Sequence, residues 1–354
     1  MTALRDLLAR QIATEGPMNL ADYMQTCLLH PEHGYYATRD PFGTAGDFIT
    51  SPEISQMFGE LLGLCLAQAW MDQGRPAAYL AELGPGRGTL MKDVLRVTAQ
   101  IEGFPRKVVL VEASAHLRDV QAKTLVGADV TWVDHVTDLP DGPVLLVANE
   151  FFDALPIRQF MRGASGWRER HIGLDRGALA FGLTGETRID ALSHRLADTG
   201  ADDVVEICPS AGPIVEDIAA RVAKGGAALI IDYGDWRSLG DTFQALENHA
   251  SVDPLSRPGQ ADLTAHVDFE ALSKAAGLCQ ASEMTPQGVF LERLGITPRA
   301  QALARNLQAA ALDAHIAAHR RLTHPEEMGS LFKAIALAPK GAPLPPGFDP
   351  ARSI

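Results

Sequence analysis

Residues 79–90 read YLAELGPGRGTL, a short apolar run that ends at Glu82 and Leu83 and gives way to Gly84, Gly86 and Gly88 at alternate positions. Such a run describes a buried strand that turns sharply beneath a nucleotide, because glycine reaches backbone angles and a closeness of approach that a Cβ forbids. Residues 90–97 continue as a helix whose first amides point into the turn. Spacing separates the ligands. A dinucleotide fingerprint places its third glycine three residues after the second, where this chain has Thr89; here it comes two residues after. The turn is read first as an S-adenosylmethionine loop, second as a turn of structural value only, and third as an NAD or FAD loop.

Three further strand-like runs follow at 107–112 (KVVLVE), 143–149 (PVLLVAN) and 226–233 (GAALIIDY). Helical material separates them, which predicts a mostly parallel α/β sheet with helices on both faces. A last apolar run at 331–337 adds a late strand. The alternating pieces GWRERHIG and GALAFGL within 162–193 predict a small inserted β excursion. Residues 1–75 read as an N-terminal helical region with an active-site loop packed on the core, and 76–354 as the core itself, with a helical insertion around 240–325. Ser51 before Pro52 and Glu53 predicts a hydroxyl-capped helix start.

The chain has 354 residues, long enough for a large core, and its 31 basic and 44 acidic side chains give a formal charge of −13. Binding to nucleic-acid phosphate is disfavoured, since that requires cationic side chains that displace counterions. An acidic surface suits a cationic protein substrate. No apolar stretch approaches the ~20 residues that span a membrane. The start, MTALRDLLARQIATEG, lacks the basic flank and long apolar run of a signal peptide. Cys27, Cys65, Cys208 and Cys279 form no CxxC pair and read as reduced. These features predict a cytoplasmic protein.

Ligands of open parallel sheets collect beyond the carboxyl ends of the strands, and polar residues end each of the first three here. Glu112 closes the second; a carboxylate there can accept both ribose hydroxyl hydrogens, or simply cap a helix. Glu82 either orients the turn or meets the cofactor's amino group. In 131-TWVDHVTDLP-140, Trp132, Val133 or Asp134 can contact adenine, with Asp134 the candidate acceptor for its amino group. The stretch 149-NEFFDALPIRQF-160 is the candidate reaction centre, since Asn149, Glu150 and Asp153 emerge beside Phe151 and Phe152. Carboxylates pair with guanidinium hydrogens, and aromatic faces tolerate positive charge. Asp47 and Glu53 lie in a glycine-containing loop that can close over this centre. His30 and His33 form no HExxH pattern, so no metal is assigned, and neither a GxSxG elbow nor a GxxxxGK[ST] loop occurs.

The blocks 46-GDFITSPEISQMFGE-60, 82-ELGPGRGTLMKD-93, 110-LVEAS-114, 149-NEFFDALPIRQF-160, 205-VEICPSAG-212, 229-LIIDYG-234, 287-QGVFLERLGI-296 and 329-GSLFKAIAL-337 run through nearly the whole chain. They resemble the MidA/NDUFAF7 family of class I S-adenosylmethionine-dependent methyltransferases, whose mitochondrial members assemble respiratory complex I. The resemblance implies a seven-stranded class I methyltransferase fold, with S-adenosyl-L-methionine held at Gly84, Gly86 and Gly88 and its ribose on Glu112. It further implies methyl transfer to a protein arginine, with a complex I (NADH dehydrogenase) subunit as the expected partner. The blocks around Asp47, Glu53, Glu150 and Asp153 look active-site forming. The Asn-Pro-Pro-Tyr or Asp-Pro-Pro-Tyr tetrad of many amino methyltransferases is absent, with Asn149-Glu150-Phe151-Phe152 in its place. A non-enzymatic assembly factor on the same fold and an NAD-dependent oxidoreductase are the competing readings, although no hydride-transfer residues can be identified.

Overall fold

The computed structural model describes residues 2–38, 50–247 and 250–351. Its central sheet is built from β1 (Tyr79–Leu83), β2 (Lys107–Val111), β3 (Asp129–Val133), β4 (Val144–Asn149), β5 (Gly226–Asp235) and β6 (Phe332–Ala338). They lie in the order β6-β5-β4-β1-β2-β3, with the two-residue strand Gln280–Ala281 as a seventh beyond β6 and two further short strands paired off this path. Neighbours from β5 to β3 are parallel, whereas β6 runs antiparallel to β5.

The apolar runs are continuous because both faces are covered. Leu80, Val108, Leu110, Leu145, Val147 and Leu229 point to one core, while Ala81, Val109, Leu146, Ala148, Ile230 and Ile335 point to the other. This is the two-residue period of a strand with an apolar environment on each side. Each fully buried Leu, Val or Ile contributes about 1.5–3 kcal/mol. Helices Gln56–Asp72 and Thr89–Val97 cover the first face, and Ala211–Val222 the second. Glu60 is buried among them, and its carboxylate takes Arg96 at 2.8 Å and Arg299 at 2.7 and 2.9 Å. That pairing joins the first-face helices to the helix Ile296–Ala304.

Four expectations change. Residues 1–75 do not act as one layer. Helices Ala3–Glu15 and Leu20–Leu29, capped by the Thr2 and Asn19 side chains, share a separate core with Ile157, Ile172, Leu179 and Leu263. Met18–Asn19 pairs with Ile172 and His171. The first helices therefore pack on the inserted strands, and only the later part packs on the methyltransferase-like sheet. The excursion itself is wider than 162–193: strands Arg158–Arg162, Trp167–Asp175, Ala178–Leu183 and Val204–Ile207 join Met18–Asn19 in one antiparallel sheet. The segment expected to be helical from 240 begins instead with strands Gln244–Glu247, Ala250–Val252 and Asp262–Thr264, and turns helical from Phe269.

Ser51 is not the cap either. It lies inside a short helix, Ser51–Ile54, that follows Thr50. Ser55 breaks the chain there in an extended conformation and caps the long helix, its hydroxyl accepting from the Met57 amide at 3.2 Å. The break aims the residues before Ser55 at the end of the sheet instead of along it.

Candidate active site

β1 has β2 on one side and β4 on the other, so the chain departs in opposite directions from it and leaves a crevice at the carboxyl ends of the strands. The glycine turn occupies this crevice. Gly84, Gly86 and Gly88 have φ of 59°, 51° and 79°, in the left-handed region where an L side chain is strained. A Cβ on Gly84 would also stand 3.1 Å from the Phe151 ring. Gly88 then starts the helix Thr89–Val97, whose first amides face the turn. Glu82, on the last part of β1, is buried and has its Oε2 without a hydrogen-bond partner. Burial pushes its carboxyl up to about 8, against the pull of the Met91 amide.

Along the β2 side, Glu112 is half-buried, and each of its oxygens is held. Oε1 accepts from the Ser114 amide at 2.8 Å, and Oε2 from the Gln121 side-chain amide at 3.1 Å. Burial raises its pKa, while Ser114 and Gln121 pull it back. Asp134 is largely exposed and accepts through Oδ1 from the Arg118 guanidinium at 2.6 Å. Arg118 in turn grips the Glu112 carbonyl at 2.7 and 2.5 Å. Trp132 on β3 is partly buried and donates its indole N–H to Gln121 at 2.8 Å.

At the end of β4 the chain makes a strained corner. Glu150 has φ 51°, unusual for a residue with a side chain, and its amide is tied to the Ile231 carbonyl at 2.9 Å. Its Oε1 accepts from the Ser51 amide and from the Asn149 side-chain amide, both at 2.9 Å. The corner is pinned from β5. Asp232, fully buried, accepts through Oδ2 from the amides of Phe151, Phe152 and Asp153 at 3.2, 3.0 and 3.2 Å, and through Oδ1 from its neighbour Tyr233 at 2.9 Å. Three carboxyl groups thus share one desolvated region. Burial pushes Glu150 up to about 7 and Asp153 up to about 6. For Asp232, burial and then the nearby Asp153 and Glu150 raise the carboxyl, and its four amide donors oppose them. Asn149 Oδ1 is buried without a partner, while the Tyr233 hydroxyl beside Asp153 and the Ser51 hydroxyl beside Glu150 each pull the neighbouring carboxyl down.

Glu53 bridges from the short helix to the cofactor-loop helix, its Oε1 accepting from Thr89 Oγ1 at 2.5 Å. The cleft among these elements is lined by Glu53, Glu82, Gly84, Gly86, Asn149 and Glu150, among others. Of the residues singled out in the sequence, Glu53, Glu82, Asn149, Glu150 and the first two glycines meet at this cleft, and Asp153 lies behind Glu150. Glu112 and Asp134 stand off along the β2–β3 edge, and Asp47 lies outside the described residues. Sequence reasoning missed Gln121 and Asp232. The signal for Asp232 was the polar residue ending the run LIIDY in register with the other strand ends; Gln121 carries no local signal. Among the described residues no group of three or more His, Cys, Asp or Glu is arranged to hold a metal ion, and no helix is long and apolar enough to cross a membrane.

Comparison with known proteins places this crevice in a family. The family described as "Putative S-adenosyl-L-methionine-dependent methyltransferase" matches residues 61–289. The zebrafish (Danio rerio) protein arginine methyltransferase NDUFAF7, mitochondrial, is 39% identical over 92% of this chain and 84% of its own length. The human (Homo sapiens) protein of that name is 38% identical over 95% and 83%. A Burkholderia thailandensis protein, whose crystal structure holds S-adenosyl-homocysteine, superposes with a TM-score of 0.83 at 31% identity, covering 99% of this chain and 93% of its own. The curated relatives are mitochondrial by name, which overturns the expectation of a cytoplasmic protein. Its basis, the absence of a signal peptide and of paired cysteines, does not distinguish compartments that both keep thiols reduced. With the glycine turn, the sheet order and these relatives in agreement, the chain belongs to the NDUFAF7 family of S-adenosylmethionine-dependent methyltransferases.

Proposed function

We propose that this methyltransferase acts on a guanidinium nitrogen of a protein arginine, with a respiratory complex I (NADH dehydrogenase) subunit as the acceptor. One observation carries the arginine reading: Glu150 lines the cleft with the carboxyls of Asp153 and Asp232 buried behind it, a concentration of negative charge suited to a planar cation whose N–H groups Glu150 can accept. The name of the curated relatives supports the same acceptor. The complex I subunit rests on the family resemblance.

The residues present fit the cofactor. Glu82 Oε2 and Asn149 Oδ1 are buried acceptors without partners, and both residues line the cleft, where the cofactor's ammonium group can satisfy them. The glycine turn receives the cofactor backbone, Glu112 the ribose hydroxyls, and Trp132 the adenine face. Asp134 has one oxygen on Arg118, which leaves the other for the adenine amino group. When bound, S-adenosylmethionine supplies an electrophilic methyl group on a sulfonium that is itself a good leaving group.

The chain's own residues position and stabilise. Glu150, oriented by the Ser51 amide and by Asn149, accepts hydrogen bonds from the attacking nitrogen and stabilises the cationic product. Asp153, buried behind it, adds negative charge to the same corner. Early deprotonation of arginine is unfavourable, given its intrinsic pKa, so these carboxylates orient more than they abstract. Glu53, through Thr89, closes the short helix over the turn.

The test is incubation of the purified protein with methyl-labelled S-adenosylmethionine and lysate from cells lacking the gene, followed by mass spectrometry. Label on an arginine of a complex I subunit is the expected result. Label on another residue type would refute the acceptor, and cofactor binding without any label would favour a binding role.

A further inference from the structure

We propose that Gln121 is the positioning residue that sets the cofactor site, joining the glycine turn, the ribose acid and the adenine-side strand through one buried side chain. The inference rests on the reading of Glu112 and the glycine turn given under Proposed function. Gln121 sits in the helix Ala115–Thr124, where a polar residue ordinarily faces water, yet it is 0% exposed. Its side-chain amide nitrogen donates to the Gly86 carbonyl at 2.8 Å and to Glu112 Oε2 at 3.1 Å. Its side-chain oxygen accepts from the Trp132 indole at 2.8 Å. All three contacts run to residues on different elements, and the side chain's donors and acceptor are in use together.

The chemistry of an amide is what makes this possible. One planar group offers two donors and one acceptor on fixed vectors, so the position of Gly86, the rotamer of Glu112 and the tilt of Trp132 are set relative to one another. A carboxylate cannot do this, because it would face the Gly86 carbonyl and the Glu112 carboxylate with lone pairs. An apolar residue of the same length would fill the space and leave the Gly86 carbonyl and the indole N–H short of a buried partner. Gln121 itself is placed to touch none of the reacting groups; it acts through the three residues it holds.

The test compares S-adenosyl-homocysteine affinity, by calorimetry, methyl-transfer kinetics and melting temperature in Gln121→Met, Gln121→Glu, Glu112→Gln and the double variant Glu112→Gln/Gln121→Glu. Gln121→Met should weaken S-adenosyl-homocysteine binding by roughly 10- to 100-fold and raise the KM for S-adenosylmethionine alike, with kcat at saturation within about twofold. Gln121→Glu, which keeps the shape should the methionine variant fail to fold, should bind at least as weakly. In the double variant the amide at position 112 donates to the carboxylate at position 121, so the melting temperature of the cofactor-free protein recovers above that of Gln121→Glu alone, while affinity stays low because the ribose acid is gone. A general packing role would not produce that recovery. Binding by Gln121→Met or Gln121→Glu within twofold of the parent would overturn the inference, as would a loss confined to kcat. Failure of the double variant to recover overturns the link through Glu112. If Glu112→Gln alone leaves affinity unchanged, the ribose reading fails, and a weakened Gln121→Met then supports the inference through the glycine turn.

Discussion

Replacing Glu82 by glutamine should make the cofactor-free protein more stable at neutral and alkaline pH while weakening its hold on the cofactor. Glu82 is buried at 3% exposure, and burial raises its pKa from 4.5 to about 8. A carboxyl whose folded pKa is raised binds its proton more tightly in the folded state. Its contribution is therefore complete below the unfolded pKa and is lost as pH rises from 4.5 towards 8. At pH 7 the loss amounts to about 3 kcal/mol, from 1.36 kcal/mol per unit. An unfolding entropy of about 2.1 cal/mol/K per residue turns this into a Tm difference of about 4 °C for a chain of this length. Glutamine keeps the shape and the acceptor for the Met91 amide but cannot ionise. Glu150 and Asp153, raised to about 7 and about 6, tilt the parent's curve in the same sense, so the quantity to read is the parent–variant difference. Thermal melts of both proteins between pH 5 and 9 should diverge steadily up to about pH 8. Binding of S-adenosyl-homocysteine should meanwhile fall by roughly 10- to 100-fold, the worth of a charge-assisted hydrogen bond. Parallel melting curves would refute the assignment of a desolvated carboxyl at Glu82, and unchanged binding would remove it from the cofactor site.

Gly86→Val should abolish saturable S-adenosylmethionine binding without unfolding the chain, because a β-branched residue is strained at φ 51°; calorimetry alongside circular dichroism reads both quantities, and retained binding would sink the role of the turn. Glu150→Gln should lower methyl transfer by about 100-fold with cofactor affinity within a few fold, as expected for lost transition-state stabilisation. In the parent, kcat/KM should climb as pH rises through about 7, where Glu150 ionises, and the variant should lose that limb. Asp232→Asn leaves one side-chain oxygen for four amides and puts an N–H against the others, so the corner at Glu150 should loosen. A stability loss of about 1–3 kcal/mol by denaturant titration, with a larger loss in kcat than in cofactor affinity, is the expected pattern. Equal stability would mean that the corner does not depend on this side chain.

Much of this molecule is written in short-range pattern. The buried strands β1, β2, β4 and β5 could be read from continuous apolar runs, because a strand covered on both faces needs an apolar residue at every position. Gly84, Gly86 and Gly88 could be read as a turn because the left-handed backbone they adopt is a property of the residues themselves. Glu82, Glu112, Asn149 and Glu150 followed, since the end of a parallel strand is where a polar side chain can leave the core and meet a ligand.

What the tertiary structure alone decided are pairings between residues distant in sequence. Nothing around Gln121 distinguishes it from an ordinary helix-surface residue until its helix lies against β3 and the glycine turn. Asp232 gains its role from amides 79 to 81 residues earlier in the chain, once β5 lies beside β4. Ser55 and not Ser51 caps the long helix, because the cap is set by where the chain must bend to reach Glu150. The first helices pack on inserted strands instead of on the core, a choice that their amphipathic pattern leaves open: an apolar stripe states that it must be covered, and only the assembled fold determines by what.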